Sequence, residues 1–221
     1  MPPADADHVA PAVPARASGA VVNWRDFFVQ LVIVTVGVLI ALLLQGLVDW
    51  TSDRALVREA RASIRQELED NMREMDGEIA GLDAREAHLN NALRLSEEML
   101  ATGKSEIKEI NLGFSLAELN LASWRTAELT GALALMEYRD VQTLSQLYDF
   151  QDLYIAEQRR TLSRLSVALT GVARDPTKAA RADIEAFRHE VLALQAALLI
   201  EAQLAKQLSR SYKSTIADVF E

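Results

Sequence analysis

The stretch Phe27–Val48, FFVQLVIVTVGVLIALLLQGLV, decides how the rest of the sequence is interpreted. It carries no charged residue over about 22 positions, which as a helix is long enough to cross a hydrocarbon core of about 30 Å. Trp24 and Trp50 flank it, and tryptophan prefers the interface between membrane and water. We therefore predict a transmembrane helix over residues 24–50, with the lipid bilayer as its partner.

Two other interpretations of this stretch fit less well. A buried core helix is usually shorter and is rarely apolar on every face. A cleaved signal peptide has an apolar region of about 7–15 residues followed by small residues of the A-x-A type. The end of the run, Leu42–Leu47, offers no such site. We expect the helix to be retained in the protein.

Small residues within the span suggest a contact between two membrane helices. Gly37 and Ala41 stand four apart, a spacing that lets helices approach closely, and Gln30, Thr35 and Gln45 can add hydrogen bonds between helices. The alternative is that glycine and alanine are simply common in membrane helices, and a single pair is weak support for a dimer face.

The orientation of the span depends on how the flanking arginines are weighted. Arg16 and Arg25 precede it, and four arginines follow it: Arg54, Arg58, Arg61 and Arg65. Simple counting would place the large domain in the cytoplasm, but long domains that mix acids and bases often translocate regardless of charge. We favour a single-pass protein of the bacterial inner membrane with its helical domain in the periplasm.

Composition excludes several classes of function. The net charge of -9 argues against a nucleic-acid partner and against a polybasic hold on acidic lipid. The chain has no cysteine, so disulfides, thiolate metal sites and a cysteine nucleophile are excluded. Alanine, leucine, glutamate and arginine dominate outside the span, and that composition is typical of long helices.

The remainder divides into a tail and a domain. Residues 1–23 are rich in alanine and proline and are predicted to be disordered. Residues 51–221 lack strand signals, and there is no proline between Ala15 and Asp175. The fold class predicted is all-α, with the transmembrane helix followed by an antiparallel helical bundle with coiled-coil-like packing.

Four helices are predicted in the domain. The first begins near Thr51 or Ser52, can be continuous with the span, and ends before Gly103. The others are predicted at about Ser115–Met136 with a bend near Gly131, at about Asp140–Gly171, and from an N-cap at Asp175 followed by Pro176.

Each long helix carries an apolar stripe in the 3-4 repeat of a coiled coil. In the first, the stripe is longer than the short second helix can cover, so we expect part of it to need another surface. The stripe residues are Leu68, Met72, Met75, Ile79, Leu82, Leu89, Leu93 and Leu100 in the first helix; Val141, Leu144, Tyr148, Ile155, Leu162, Leu165 and Leu169 in the third; and Ile184, Phe187, Val191, Leu194, Leu198, Leu208, Tyr212 and Val219 in the fourth.

No motif in the domain predicts catalysis. Glu86 and His88 are two apart and point to different helix faces, whereas Glu185 and His189 share a face as an ordinary surface pair. Neither spacing matches the Glu-x-x-His pairs of a di-metal bundle. There is also no nucleophile elbow and no glycine-rich phosphate loop. We predict no catalytic, cofactor-binding or metal site, and hence no enzyme.

Four polar residues interrupt the apolar stripes, namely Glu86, Gln151, Gln158 and Glu201. If they approach the core, they can fix the register of the helices or line a ligand pocket. We favour the alternative, in which each lies at the edge of its stripe and reaches water.

Aromatic residues concentrate in the second and third helices. Trp124, beside Arg125 and Thr126, is followed by four more, Tyr138, Tyr148, Phe150 and Tyr154. These residues can form a recognition patch, but we favour the thickest part of the core, because aromatic rings are the largest apolar groups available.

Two motifs carry a family resemblance. The run Val36–Leu42 with a tryptophan soon after it, and the runs Ser123–Ala127 and Thr130–Leu133, resemble an uncharacterised bacterial family of single-span membrane proteins with a helical domain of unknown function. The resemblance covers most of residues 24–155, although related sequences often carry Asn or Asp where this chain has Gln45 and Gly46. It implies the same architecture and no activity.

The function predicted from these features is a membrane-anchored interaction or scaffold module without catalytic activity. Its partner is expected to be a second copy of itself or another membrane or envelope protein. The alternatives are a ligand-sensing helical bundle, for which an alanine- and proline-rich tail is a poor output module, and a membrane-tethered metal enzyme.

Overall fold

The computed structural model describes residues 24–103, 112–170 and 179–221. Every regular element in these ranges is helical, and none of the residues described is in a β-strand. The all-α prediction is therefore confirmed, whereas the predicted disordered tail, residues 1–23, lies outside the described part of the chain. The chain divides after Trp50 into two units, and each is described by itself.

The first unit contributes the apolar start of helix α1, which runs from Trp24 to Thr102. The most apolar part of this helix has a mean hydropathy of 2.9, and none of it is buried. The Thr35 hydroxyl donates to the carbonyl of Leu31 at 2.8 Å, so its hydrogen bond is made inside the helix. By length and composition, α1 can cross a membrane.

A second helix passes the same test of length and composition. It is α4, Arg181–Phe220, whose most apolar window has a lower mean hydropathy of 1.3 and is 39% buried. Val191, Leu194 and Leu198 within it pack into a core cluster of the second unit.

The second unit contains the rest of α1 and the other helical elements. These are α2 (Ala122–Leu129), a short 3-10 helix (Ala132–Leu135), α3 (Tyr138–Thr170) and α4 (Arg181–Phe220). The predicted end of the first helix is confirmed: α1 ends at Thr102, and Gly103 follows with a left-handed φ of 66° while its N–H donates to the Met99 carbonyl at 2.9 Å. Helix α3 begins within two residues of its predicted start.

Two predicted helix starts need correction. The second helix does not begin at Ser115, because residues 112–121 are not helical and α2 starts at Ala122. Tertiary hydrogen bonds to that segment, described below, replace its helical ones. Helix α4 begins at Arg181 after an extended Ala180, whose N–H donates to the Asp183 carboxylate at 3.3 Å. The predicted cap, Asp175 and Pro176, lies outside the described residues.

The core confirms most of the predicted apolar stripes. All eight stripe residues of α4 are buried, and those of α1 are buried or packed against a core cluster. The expectation that part of the α1 stripe needs another surface is therefore wrong. In α3 the stripe is shifted, because Leu162 is exposed while Gln151, Tyr154 and Gln158 face the interior.

Side-chain contacts give the order in which the helices meet. Between α1 and α4, later α1 residues meet earlier α4 residues, as in the pairs Asp76–Ser209, Arg85–Glu201, Asn90–Gln195 and Glu97–Arg188. Between α1 and α3 the order is the same along both helices, as in the pairs Arg61–Asp140, Glu67–Tyr148 and Asn71–Gln151.

Candidate functional site

A row of polar side chains along α1 faces the segment 112–124. Glu67, Asn71, Glu74 and Glu78 are three or four residues apart, and this spacing places them on one face of the helix. Their contacts with the segment follow one another in reverse order along the chain. We call these four residues the polar row of α1.

Asn71 and Glu74, in the middle of the polar row, bond to backbone groups of the segment 112–121 that would pair with other backbone groups in a helix. The Asn71 side chain accepts from the N–H of Asn120 at 2.8 Å and donates to its carbonyl at 2.7 Å. Glu74 accepts from the N–H of Glu118 at 3.2 Å. These side chains therefore satisfy the N–H of Glu118 and both backbone groups of Asn120 in a segment that is not helical.

Glu67 fixes the beginning of α2. Its carboxylate accepts from the N–H groups of Ser123 at 2.7 Å and Trp124 at 3.4 Å, which are among the unpaired donors at that helix end. A negative charge at this position also favours the positive end of the helix dipole. The Tyr148 hydroxyl donates to the same carboxylate at 2.7 Å, and the Tyr148 ring stacks on Trp124 with centroids 5.0 Å apart. Burial first, and then the bond to Glu67, raises the pKa of Tyr148.

Gln151 joins three helices and the connecting segment. Its Oε1 accepts from the Tyr212 hydroxyl at 2.6 Å and from Asn71 at 3.1 Å, and its Nε2 donates to the carbonyl of Asn120 at 3.0 Å. Gln151 is fully buried, so these bonds are made away from water. Burial raises the pKa of Tyr212, which favours the protonated hydroxyl that donates to Gln151.

A second group, the Arg85 cluster, lies further along α1 and is defined by Glu78, Arg85, Ser115 and Glu201. The Arg85 guanidinium donates to Glu78 at 2.5 Å, to Ser115 at 2.8 Å and to Glu201 at 3.2 Å. The Ser115 hydroxyl donates to Glu78 at 2.9 Å. Three charged side chains are thus buried together, with two carboxylates and one cation.

Glu201 is the least satisfied member of the Arg85 cluster. Its side chain is 1% exposed, and its Oε2 has no hydrogen-bond partner among the described residues. Burial raises the pKa of this carboxyl, although Arg85 and the neighbouring Thr161 hydroxyl favour the charged form. Burial also raises the pKa of the nearby Tyr154, whose hydroxyl accepts from Gln158 at 3.1 Å. The cluster can therefore hold a proton on Glu201.

The four polar residues that interrupt the stripes have different positions. Glu86 is exposed, as we favoured for all four, but Gln151, Gln158 and Glu201 are buried. For these three residues, the interpretation that they reach water is wrong. Gln151 and Glu201 hold hydrogen bonds between elements, which is the first of the two interior roles we considered, whereas Gln158 donates to Tyr154 within α3.

His88 and His189, the two histidines in the described residues, do not belong to a metal-binding group of side chains. His88 is half-buried beneath Gly113, and His189 is exposed while its predicted partner Glu185 pairs with Arg181 at 3.0 Å. No group of three or more His, Cys, Asp or Glu side chains in the described ranges could hold a metal ion.

The aromatic residues are divided between core and surface. Tyr148 and Tyr154 are buried in the main core cluster, and Trp124 and Phe150 pack against it. Tyr138 differs from them, because 83% of it is exposed.

The open surface nearest to the polar row is a groove between α1 and α2. One part of it has a volume of about 510 Å³ and the adjoining part about 290 Å³, and the two share Ser63, Ala122 and Ser123. Most of the wall is made of small side chains. Glu67 is the member of the polar row that lines the groove, and no residue of the Arg85 cluster lines either part.

A third cavity lies between α1 and α4. It has a volume of about 320 Å³ and includes Asp83, Glu86 and Lys206 in its lining.

Sequence reasoning missed Glu67, Asn71, Glu78 and Arg85. Each lies next to or between stripe residues of α1, and the 67–71–74–78 spacing was the signal available in the sequence. Comparisons with protein-family models, with curated proteins and with solved structures find no match to this chain.

Proposed function

We propose that this chain is a single-pass membrane protein whose helical domain is a non-catalytic interaction module. In this proposal residues 24–50 span the bacterial inner membrane, and the domain lies in the periplasm and binds a second copy of itself. We also propose that the chain is related to the uncharacterised bacterial family that it resembles.

The observation that carries the proposal is the exposed apolar surface of residues 27–48. Every large hydrophobic side chain among them is at least 47% exposed, and no charged residue interrupts them. A contiguous apolar surface of that size requires an apolar partner. A bilayer supplies one along the whole helix, because its core needs about 20 apolar residues to cross.

For the domain we infer an antiparallel bundle with coiled-coil-like packing. The reversed order of the α1–α4 contacts supports opposite directions for these helices, and the 3-4 stripes supply the facing apolar positions. The polar row and the Arg85 cluster fix the register of such a bundle, because a one-turn shift would leave buried charges unpaired.

The internal use of the buried polar groups supports a non-catalytic role. In the described residues, only Arg188 Nε and Glu201 Oε2 are buried without a hydrogen-bond partner. Catalytic groups are usually found with shifted pKa values in a cleft that substrate can reach. Glu201 has the shifted pKa, but neither it nor Arg85 lines the grooves described above.

For self-association the groove between α1 and α2 is the surface we favour. Its wall of Ala60, Ala62, Ser63 and Ala122 lets another helix approach closely. The Gly37 and Ala41 pair in the span could bring two copies side by side, and each domain is tethered to its own span.

Crosslinking in native membranes tests this proposal, and the lack of cysteine makes the test clean. Ser63→Cys in the groove should give a dimer with a short bifunctional thiol reagent. Ser163→Cys, also exposed but on α3, should not. Monomer alone from both variants, or equal crosslinking of both, would contradict self-association through this groove.

The cavity at Glu86 supports the ligand-sensing alternative. Its lining mixes Asp83, Glu86 and Lys206 with leucines, a combination typical of small-molecule sites. A small molecule that raises the melting temperature of the full chain, but not that of a Lys206→Ala variant, would favour this alternative.

A further inference from the structure

The corner between α2 and α3 exposes an unusual amount of apolar surface. Leu129 is 87% exposed, Tyr138 is 83% exposed and Leu135 is 46% exposed. All three lie within ten positions of the sequence, and we call them the apolar corner. Isolated exposed leucines are common, but three large side chains on one short turn indicate a binding surface.

The local backbone explains why this corner protrudes. Gly131 follows α2 with a left-handed φ of 77°, which glycine adopts without strain. The turn reverses the chain, and the 3-10 helix then places Ala132 in the core and Leu133 against it. Leu129 and Leu135, on either side of this turn, are left outside.

The apolar corner is tied to the end of the domain where the chain leaves Trp50. Thr130, next to Leu129, lines the same groove as Leu56 and Glu59 of α1. Even a fully extended chain covers only about 20 Å between Trp50 and Leu56. The corner therefore lies beside a groove lined by Leu56, which follows Trp50 by only six residues.

We propose that the apolar corner inserts into the interfacial layer of the membrane. This inference rests on the membrane span proposed above, and it adds a second, reversible contact with lipid. Tyrosine prefers the interface because it has an apolar ring and a polar hydroxyl, and leucine supplies the apolar area that favours insertion.

Charge contributes little to this contact. Glu128 and Glu137 flank the corner together with Arg125 and Arg139, so its neighbours carry no excess of one sign. Attraction to acidic lipid headgroups requires a basic excess and weakens with salt. Insertion of the apolar corner should therefore be insensitive to salt.

Fluorescence quenching of the full-length chain in vesicles tests the proposal. Single-cysteine variants Leu129→Cys and Leu135→Cys carry an environment-sensitive dye, in vesicles of phosphatidylethanolamine and phosphatidylglycerol with or without brominated acyl chains. Leu199→Cys is the matched control, an exposed leucine on the groove with Glu86, about 45 Å further along α1 than Leu56. Ile40→Cys reports on the proposed span.

We expect brominated lipid to quench the dyes at positions 129 and 135 several-fold more than the dye at 199, in low and high salt alike. If aqueous iodide quenches the dyes at positions 129 and 199 equally, while brominated lipid still quenches the dye at position 40, the apolar corner does not insert. The proposed span would be unaffected by that result. Protection of the dye at position 129 from both iodide and brominated lipid would also contradict insertion, because the apolar corner would then be covered by protein. No lipid quenching at position 40 would instead overturn the proposed span.

Discussion

At the scale of single residues, Gly113 combines a backbone constraint with a close contact. Its φ is +62°, and a Cβ there would lie 2.4 Å from Cδ2 of His88. Gly103 has a similar φ of +66° but open space around it. Alanine substitutions at the two glycines therefore distinguish the cost of the left-handed φ, which both share, from the cost of the contact with His88, which only Gly113 has.

We expect Gly103→Ala to lower the free energy of unfolding by about 1 kcal/mol, and Gly113→Ala to lower it by about 2–4 kcal/mol. Adding His88→Ala to Gly113→Ala should restore only the part of the unfolding free energy that is lost through the contact with His88. Denaturation followed by circular dichroism measures all three variants. Equal losses for the two glycine variants would show that His88 does not crowd this turn.

Glu201 predicts a particular dependence of stability on pH. Burial raises its pKa from 4.5, so the folded state binds the proton more tightly than the unfolded state. Its contribution to stability is thus greatest below the unfolded pKa and is lost as pH rises through the folded pKa. Glu201→Gln keeps the shape and mimics the protonated form.

The Glu201→Gln variant should therefore be more stable than the parent at neutral pH and should lose less stability as the pH rises above 4.5, the ordinary pKa of a glutamate. Glu98→Gln, a change at an exposed glutamate of α1, is the matched control and should alter neither value. Thermal melts across this pH range give the comparison. A Glu201→Gln variant that is less stable at every pH would mean that the ion pair with Arg85 outweighs burial.

The individual residues show where sequence reasoning succeeds and fails. Gln151 and Glu201 attract attention because they interrupt apolar stripes, but their burial depends on partners from distant parts of the chain. Arg85 is harder to find, since an arginine in a charged helix is expected to face water. Only the positions of Glu78, Ser115 and Glu201 around it make its burial possible.

At the scale of elements, the segment 112–121 shows tertiary structure overriding local preference. Its leucines and alanine suit a helix, and Ser115 is a plausible helix start. The polar row of α1 offers its backbone other partners, and this is why the predicted helix over 115–136 is found only as α2 and a 3-10 turn. The stripe predicted for α4 is buried throughout, whereas in α3 only part of the predicted stripe is buried.

Asn71 is the test of this explanation. Asn71→Ala removes both bonds to Asn120 and one to Gln151 and leaves the Asn120 N–H without its partner, so we expect a loss of about 2–3 kcal/mol of unfolding free energy. Amide hydrogens of residues 118–121 should exchange faster with solvent. Gln66→Ala removes an exposed bond to Asp70 on the same helix and should cost less than about 0.5 kcal/mol. Similar losses for both variants would contradict the role given to the polar row.

At the scale of the whole chain, the all-α class and most helix limits followed from proline usage, glycine at 103 and the apolar repeats. The expected need of the α1 stripe for a second surface did not hold, because α3, α4 and the connecting segment cover it within the chain. The self-association that we propose therefore rests on the groove between α1 and α2 and on the proposed span. A sequence pattern shows which face is apolar but does not show what covers it.

The central claim is that residues 24–50 cross a membrane, and extraction of membranes with alkaline carbonate tests it most directly. The full chain should remain in the pellet. Val36→Arg together with Ile40→Arg, at a cost of about 2.5–3.5 kcal/mol each at the centre of a span, should release it. The control, Leu199→Arg on an exposed face of α4, should stay with the membrane. Release of the unmodified chain by carbonate, or retention of the double arginine variant, would contradict the claim.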